Sequence, residues 1–227
     1  VVHPPAANTQ AVVEYTIGLI FDALRSRHTL KQRVEPEKFH DLRLEPPGPQ
    51  LDELSLGILG FGRIGTRVGR IAHTIGMNLL INDLHPEVDL RKAVEYPFEY
   101  VEKASLYRES DILTIHVDGR SSNRNLIAAD ALSRLKPHAV LINTSRGMVI
   151  DTAPLANWAR SHPQAKAVID VHEPEPPPPD YPLWNIPNVR LLPHTASRTR
   201  TAMMNMSWVV RDVLAVLEGK QPEYPAI

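Results

Sequence analysis

A parallel, doubly wound α/β sheet is the fold this sequence predicts, and three observations predict it. Short apolar runs rich in β-branched residues alternate with helical patterns along most of the chain. A glycine-rich turn, Gly60-Phe61-Gly62-Arg63-Ile64-Gly65, lies between the first such run and the helix that follows it. An acidic residue, Asp83, ends the next run, 18 residues beyond Gly65.

The elements follow in order. From Thr9 to Ser26, Val12, Val13, Ile17, Leu19, Ile20, Phe21 and Leu24 recur at helical spacing, and Arg25, Arg27 and His28 suit a helix C-terminus. Residues 30–53 are polar and broken by proline, so they read as a connecting segment with a domain boundary near residue 50. Buried-strand runs then fall at 56–60, 78–83, 110–117, 138–144, 165–171 and 188–193, with helices over 63–75, Ala128–Leu135 and Thr152–Ser161 between them. Strands alternating with helices imply right-handed crossovers and a sheet covered on both faces. One long helix from Thr199 to Leu217 closes the pattern, ended by Gly219 and a proline-bearing tail. The organisation expected is a leading helix and connecting segment over 1–50, a Rossmann domain over 51–195, and a C-terminal helix over 196–227. The prolines of residues 173–182 predict an extended, polyproline-like stretch there.

Composition narrows the function. The 227 residues carry 25 Lys+Arg against 26 Asp+Glu, a net charge of −1, which gives no footprint for nucleic acid or an anionic membrane. A hydrophobic content of 43% supports a substantial core. The absence of cysteine removes disulfides, thiolate metal sites and a thiol nucleophile. The closest pair of the ten histidines, His162 and His172, is ten residues apart, so no i, i+4 chelating pair exists and no metal is expected. No G-x-S-x-G occurs. Without a secretion signal or a long apolar span, the chain is expected to be soluble and cytoplasmic. It begins at Val1 rather than Met and reads as part of a longer protein.

The glycine turn carries a chemical expectation. The first glycine allows a tight turn, the second lets the backbone approach a pyrophosphate, and the third lets helix and strand pack closely, while the helix N-terminus favours the anion. Asp83 sits where a carboxylate accepts the ribose hydroxyls. It favours NAD over NADP, because it would repel a 2′-phosphate and no arginine stands in Asn82-Asp83-Leu84-His85. Gly57 to Gly62 has P-loop spacing, but Arg63 and Ile64 replace the lysine and hydroxyl residue such a loop needs.

Six ordered blocks, ANTQAVVEYTIGLI, LGILGFGRIGTRVGRIA, SDILTIHV, LKPHAVLINTSRGMVID, AVIDVHEPEP and NVRLLPHTASRT, resemble the NAD-binding domain of the D-isomer-specific 2-hydroxyacid dehydrogenases. The resemblance covers nearly the whole chain. It implies hydride transfer between NAD(H) and a D-2-hydroxy acid/2-oxo acid pair, with Arg146, Glu175 and His194 as the catalytic set. An imidazole holds or releases a proton near neutrality, a carboxylate orients it, and a guanidinium grips a carboxylate in a planar, bidentate way. By the same resemblance, cofactor contacts fall on Gly60, Gly62, Arg63, Ile64, Gly65, Asp83, Val117, Asp118, Asn123, Thr144, Ser145, Arg146, Asp170 and His194, with Asp170 toward the nicotinamide carboxamide. His116 either touches the ring or is a buried structural histidine.

Two departures matter. Where many members resemble H-x-P-L-T, this chain has His116-Val117-Asp118-Gly119-Arg120, without the stiffening proline. Arg120 then either reaches a substrate phosphate or is simply an exposed loop residue. The family's substrate domain is mostly absent, apart from the returning helix after Thr199, which puts turnover by this chain alone in doubt. A formate dehydrogenase would resemble a Gln-His pairing, which Glu175 does not fit. The competing class is a non-catalytic, NADH-sensing corepressor or scaffold of the same fold. The resemblance also implies a homodimer built through the cofactor domain. The helix from Thr9 is apolar on more than one face, which suits such an interface and burial within one subunit equally.

Overall fold

The computed structural model describes residues 6–25, 30–31, 33–44 and 48–225. Its chain order is α1 (Thr9–Leu24), α2 (Pro36–Arg43), β1 (Ser55–Leu59), α3 (Gly65–Thr74), β2 (Asn78–Asn82), α4 (Glu87–Ala93), β3 (Glu99–Tyr100), α5 (Lys103–Glu109), β4 (Ile112–Ile115), α6 (Ala129–Ser133), β5 (Val140–Asn143), α7 (Thr152–Ser161), β6 (Lys166–Ile169), β7 (Val189–Leu191), α8 (Arg200–Ser207) and α9 (Val209–Leu217). The strands form one sheet in the order β3-β2-β1-β4-β5-β6-β7, and every pairing is parallel. This is the doubly wound arrangement that the sequence predicts.

Both faces are buried because successive side chains of a strand point to opposite sides. On one face Leu56, Ile58, Ile81, Ile112, Val140, Ile142 and Val168 pack with Val13 and Ile20 of α1 and Val68 and Ala72 of α3. On the other, Leu59, Leu113, Ile115, Leu141 and Ile169 pack with Leu106 of α5, Leu132 of α6 and Leu155 and Ala159 of α7. The leading helix α1 thus belongs to the same core as the sheet.

Several elements differ from the sequence expectation, each for a physical reason. Helix α2 lies in the segment read as a connection: it starts on Pro36 at its first turn and buries no side chain, so no apolar period announces it. Helix α4 buries only Leu90, and α5 only Leu106 and Tyr107. Strand β3 has two residues, too few for a period of two to show. The run at 110–117 shortens to β4 because the Ser110 hydroxyl closes α5 on the Leu106 carbonyl and Asp111 turns to the Ser55 N–H. The single closing helix is two, α8 and α9, meeting at Trp208. There the Ser207 hydroxyl donates to the Met203 carbonyl, and the Trp208 and Arg211 amides bond three residues back rather than four. Residues 173–176 form bends instead of an extended stretch, with the Glu173–Pro174 and Glu175–Pro176 peptide bonds cis. Helix α1 ends at Leu24; its expected last residue, Ser26, and the basic pair Arg27 and His28 lie outside the described residues.

Candidate active site

The strand order reverses direction between β1 and β4, and the loops leaving those strands face one another there. The crevice outside the carboxyl ends at such a switch point is where a doubly wound sheet takes its ligand. Gly60 has φ 93°, and a Cβ on it would stand 2.8 Å from the His116 carbonyl carbon and 2.9 Å from the Val117 nitrogen, so only glycine fits against the exit of β4. A Cβ on Gly65 would meet the Gly60 carbonyl at 2.2 Å, whereas at Gly62 it would point into open space. The N–H groups of Gly62, Arg63, Ile64 and Gly65 find no acceptor among the described residues. Unoccupied donors at the start of a ten-residue helix, facing open space, fit a pyrophosphate.

Asp83 stands beside this turn at the end of β2. Its Oδ2 accepts the Phe61 N–H at 2.6 Å, and its Oδ1 accepts the His85 N–H at 2.8 Å and faces His85 Nδ1 at 2.7 Å. Burial alone would raise this carboxyl, but the His85 and Phe61 amides and the His85 ring outweigh it and hold the group below the ordinary carboxylate value. Asp83 is therefore ionised through the neutral range.

After β4, Asp118 accepts Arg120 Nε at 2.8 Å and Arg120 Nη2 at 2.5 Å, and also the Asn123 side-chain amide at 2.9 Å. Arg120 is thus an exposed loop residue tied to its own carboxylate. Val117 packs against the core below. The His116 ring bonds Thr114 Oγ1 through Nε2 at 3.0 Å, and its buried Nδ1 finds no partner among the described residues; burial pushes its pKa down to about 3, so it is neutral at any physiological pH.

The remaining candidates leave three neighbouring strands, β5, β6 and β7. Asn143, at the end of β5, shapes the first loop: its Oδ1 accepts the Ser145 N–H and hydroxyl, and its Nδ2 donates to the Arg146 carbonyl. Gly147 presses against the His172 carbonyl, where a Cβ would collide at 2.0 Å. Arg146 emerges exposed with its guanidinium donating to the Ser145 carbonyl, and among the described residues no carboxylate lies within ion-pair distance of it. Thr144 is buried, its hydroxyl 3.1 Å from that of Thr16 on α1.

After β6, Asp170 is fully buried and its two oxygens accept the Thr195 and Ala196 N–H groups at 2.9 Å each, which pins the loop after β7. That loop carries His194, whose φ of 53° is a left-handed conformation uncommon for a residue with a side chain. His194 Nδ1 lies 2.8 Å from Glu175 Oε2, and Glu175 Oε1 accepts the His172 N–H at 2.7 Å. Burial would raise Glu175, but the His172 amide and the His194 ring hold its carboxyl below the usual carboxylate value. With Nδ1 turned to a carboxylate, Nε2 of His194 is the nitrogen left for proton exchange.

The structure thus brings Glu175 to His194, gathers Asp118 with Asn123, and sets Asp83 at the glycine turn. The side chains of Ser145, Thr144 and Asp170 are occupied inside the protein. Sequence reading missed His172, which orients Glu175 through its backbone while its ring bonds the Leu192 carbonyl at 2.7 Å and lies 3.3 Å from Tyr181 Oη. It also missed Tyr15, whose hydroxyl meets that of Thr195 at 3.0 Å, next to His194. Both lie inside the ordered blocks, but the contacts of the Tyr15 hydroxyl and of the His172 ring are with residues far along the chain, which the blocks do not show.

Comparison with known proteins agrees with this geometry. Residues 17–196 match the family described as D-isomer specific 2-hydroxyacid dehydrogenase, NAD binding domain. The chain is 36% identical to the glyoxylate reductase of Aeropyrum pernix over 98% of its own length and 68% of the relative's, and 30% identical to the D-3-phosphoglycerate dehydrogenase of Archaeoglobus fulgidus over 96% and 41%. It superposes with a TM-score of 0.79 and 26% identity on the D-lactate dehydrogenase of Aquifex aeolicus, solved with NAD and lactic acid, covering 95% of this chain and 68% of that one. The chain spans about two thirds or less of these relatives. From the glycine turn, the carboxylate at the end of β2 and the His194–Glu175 pair on consecutive strand ends, and from this match, the chain belongs to the D-isomer specific 2-hydroxyacid dehydrogenase family, whose NAD binding domain residues 17–196 match.

Proposed function

We propose that the protein to which this domain belongs interconverts a small 2-oxo acid and the D-2-hydroxy acid, with NAD(H) as the redox partner. The observation that carries the proposal is the 2.8 Å contact between His194 Nδ1 and Glu175, with Arg146, which pairs with no carboxylate among the described residues, on the loop of β5, a neighbouring strand end. Gly62, Arg63, Ile64 and Gly65 would hold the pyrophosphate on their N–H groups, and Asp83 would accept the ribose hydroxyls. When bound, the nicotinamide delivers or receives the hydride. Arg146 grips the substrate carboxylate and polarises the neighbouring carbonyl oxygen. His194 Nε2 gives a proton to that oxygen in reduction and takes it back in oxidation, while Glu175 fixes the ring's orientation and favours the protonated form.

The relatives named above are reductases and dehydrogenases, and a complete proton-transfer dyad is a feature a sensor or scaffold has no need of. Asp118, Asn123, Val117, Thr144, Ser145 and Asp170 border the same sheet end, and as cofactor contacts they belong to this proposal. Among the described residues no helix is long and apolar enough to cross a membrane, and the assembly we propose is a cytoplasmic homodimer through α1, whose Phe21 is exposed. Sedimentation of the full-length protein at twice the protomer mass supports that assembly, and a monomer removes it. The test of activity is NADH oxidation by the full-length protein with glyoxylate, hydroxypyruvate, pyruvate and phosphohydroxypyruvate. Turnover abolished by His194→Ala supports the reading; NADH binding without turnover on any 2-oxo acid would sink it.

A further inference from the structure

We propose that His85 is an internal competitor for the ribose-recognising carboxylate, a residue that sets how tightly, and in which pH range, this domain takes a dinucleotide. The inference rests on the assignment of Asp83 to the ribose. It starts from a count of lone pairs. An ionised carboxylate offers about four acceptor positions, and three donors already stand on Asp83: the Phe61 N–H, the His85 N–H and the His85 ring at Nδ1. A ribose with free 2′ and 3′ hydroxyls presents two donors to one remaining position. One occupant has to leave for both hydroxyls to bind.

The two backbone donors are fixed by the turn and by the chain leaving β2. The imidazole is not: its side chain is 76% exposed, whereas that of Asp83 is 11% exposed, so the ring lies as a cover over a mostly enclosed carboxylate. Rotation about the His85 side-chain bonds exposes the Oδ1 lone pair without moving the backbone. Neutral, His85 gives Asp83 an ordinary hydrogen bond. Protonated, it forms an ion pair, and the ribose hydroxyls must then displace a cation.

The other charged and titratable groups around the pair do not take over this role. Tyr100 of β3 donates its hydroxyl to the Asp83 backbone carbonyl, leaving the carboxylate alone. Arg120, on the loop after β4, feels the Asp83 charge but is held bidentately by Asp118. On α4, Glu87 is paired with Arg91 and Asp89 with Lys92. His85 is the imidazole in contact with the Asp83 carboxylate, and protonation of an imidazole turns such a contact into an ion pair.

The test is a binding titration with ADP-ribose, which has the pyrophosphate and the adenosine ribose but no nicotinamide, so the His194 end of the site is silent. Dissociation constants are measured from pH 8.5 to pH 5.5 for the wild type, His85→Ala and Asp83→Asn. The wild type is expected to lose about two- to five-fold in affinity toward pH 5.5, the scale of an exposed ion pair. His85→Ala is expected to bind up to about two-fold tighter than the wild type at pH 8.5 and to keep that affinity at pH 5.5, as removal of a competing donor predicts. If Asp83→Asn binds weakly at every pH while His85→Ala loses affinity as steeply as the wild type, Asp83 still recognises the ribose and the competitor role of His85 is overturned. If Asp83→Asn binds as the wild type does throughout, the ribose assignment fails and this inference falls with it.

Discussion

The two ends of the sheet are built from the same kinds of residue and treat them differently. At the amino end, Asp111 sits where β4 begins. One oxygen accepts the Ser55 N–H at the start of β1, and the other takes Lys136 Nζ at 2.6 Å and lies 3.4 Å from His138. Burial would raise this carboxyl, but Lys136 and the Ser55 amide hold it below the ordinary value. Its partners are all internal. At the carboxyl end, Asp83 and Glu175 are also held low, yet around them stand N–H groups at the glycine turn and a guanidinium at Arg146 that find no acceptor carboxylate among the described residues, and an exposed imidazole at His194. Polar groups that satisfy one another stabilise a fold; polar groups fixed in place with bonding capacity left over bind and react.

The sharpest way to break this contrast is to remove one group from each end. In the full-length protein, His194→Ala is expected to lower turnover by about 10²–10⁴-fold, the span of a general acid/base. Its thermal midpoint should stay within a degree or two, about what an exposed substitution produces. A calorimetric scan beside the kinetic assay checks both, and a large loss of stability would show that His194 is structural. Asp111→Ala should do the opposite. It orphans the Ser55 amide and a part-buried Lys136, and is expected to cost about 2–3 kcal/mol in denaturant unfolding, with the NADH dissociation constant unchanged under native conditions.

Acid titration sharpens the same comparison. A carboxyl whose folded pKa lies below its unfolded value of about 4 contributes stability that is complete above that value and is lost as pH falls through the folded one. Asp111, Asp83 and Glu175 all have this sign. Unfolding monitored between pH 5 and pH 2 should therefore show stability falling below about pH 4, and Asp111→Asn should flatten that fall. Asp83→Asn comes next in size, with about tenfold weaker NADH binding, the worth of a charge-assisted hydrogen bond. Smallest is Arg120→Ala, which lies at the functional end but is occupied by Asp118 and should change turnover by less than about twofold on every 2-oxo acid. A loss confined to phosphorylated substrates would instead restore Arg120 as a phosphate contact.

Much of this fold is legible in the sequence. Strands β1, β4, β5 and β6 are continuous apolar runs because both their faces are covered, and α7 falls on its expected residues, with Asp151 accepting the Ala153 amide to cap it. The glycine turn declares itself because its backbone geometry is local: Gly60 takes φ 93° and Gly65 packs against the Gly60 carbonyl five residues back. Helices α2, α4 and α5 were hidden, since each buries two side chains or fewer and leaves no period to read. The break at Trp208 was hidden for a different reason: a serine hydroxyl competing for a carbonyl leaves the helical pattern of apolar residues intact.

By itself, the sequence determined the alternation of strand and helix, the glycine turn between β1 and α3, the acid at the end of β2, and the family whose ordered blocks carry Arg146, Glu175 and His194. These are local properties, set by side-chain periodicity and by backbone geometry within a few residues. Only the tertiary structure decided which groups are free to act. It placed Glu175 on His194 across 19 residues, turned Asp170 inward to the Thr195 and Ala196 amides across about 25, and joined Tyr15 to Thr195 across 180. Hydrogen bonds of that reach depend on how the strands are ordered in the sheet, and strand order is settled by packing both faces at once.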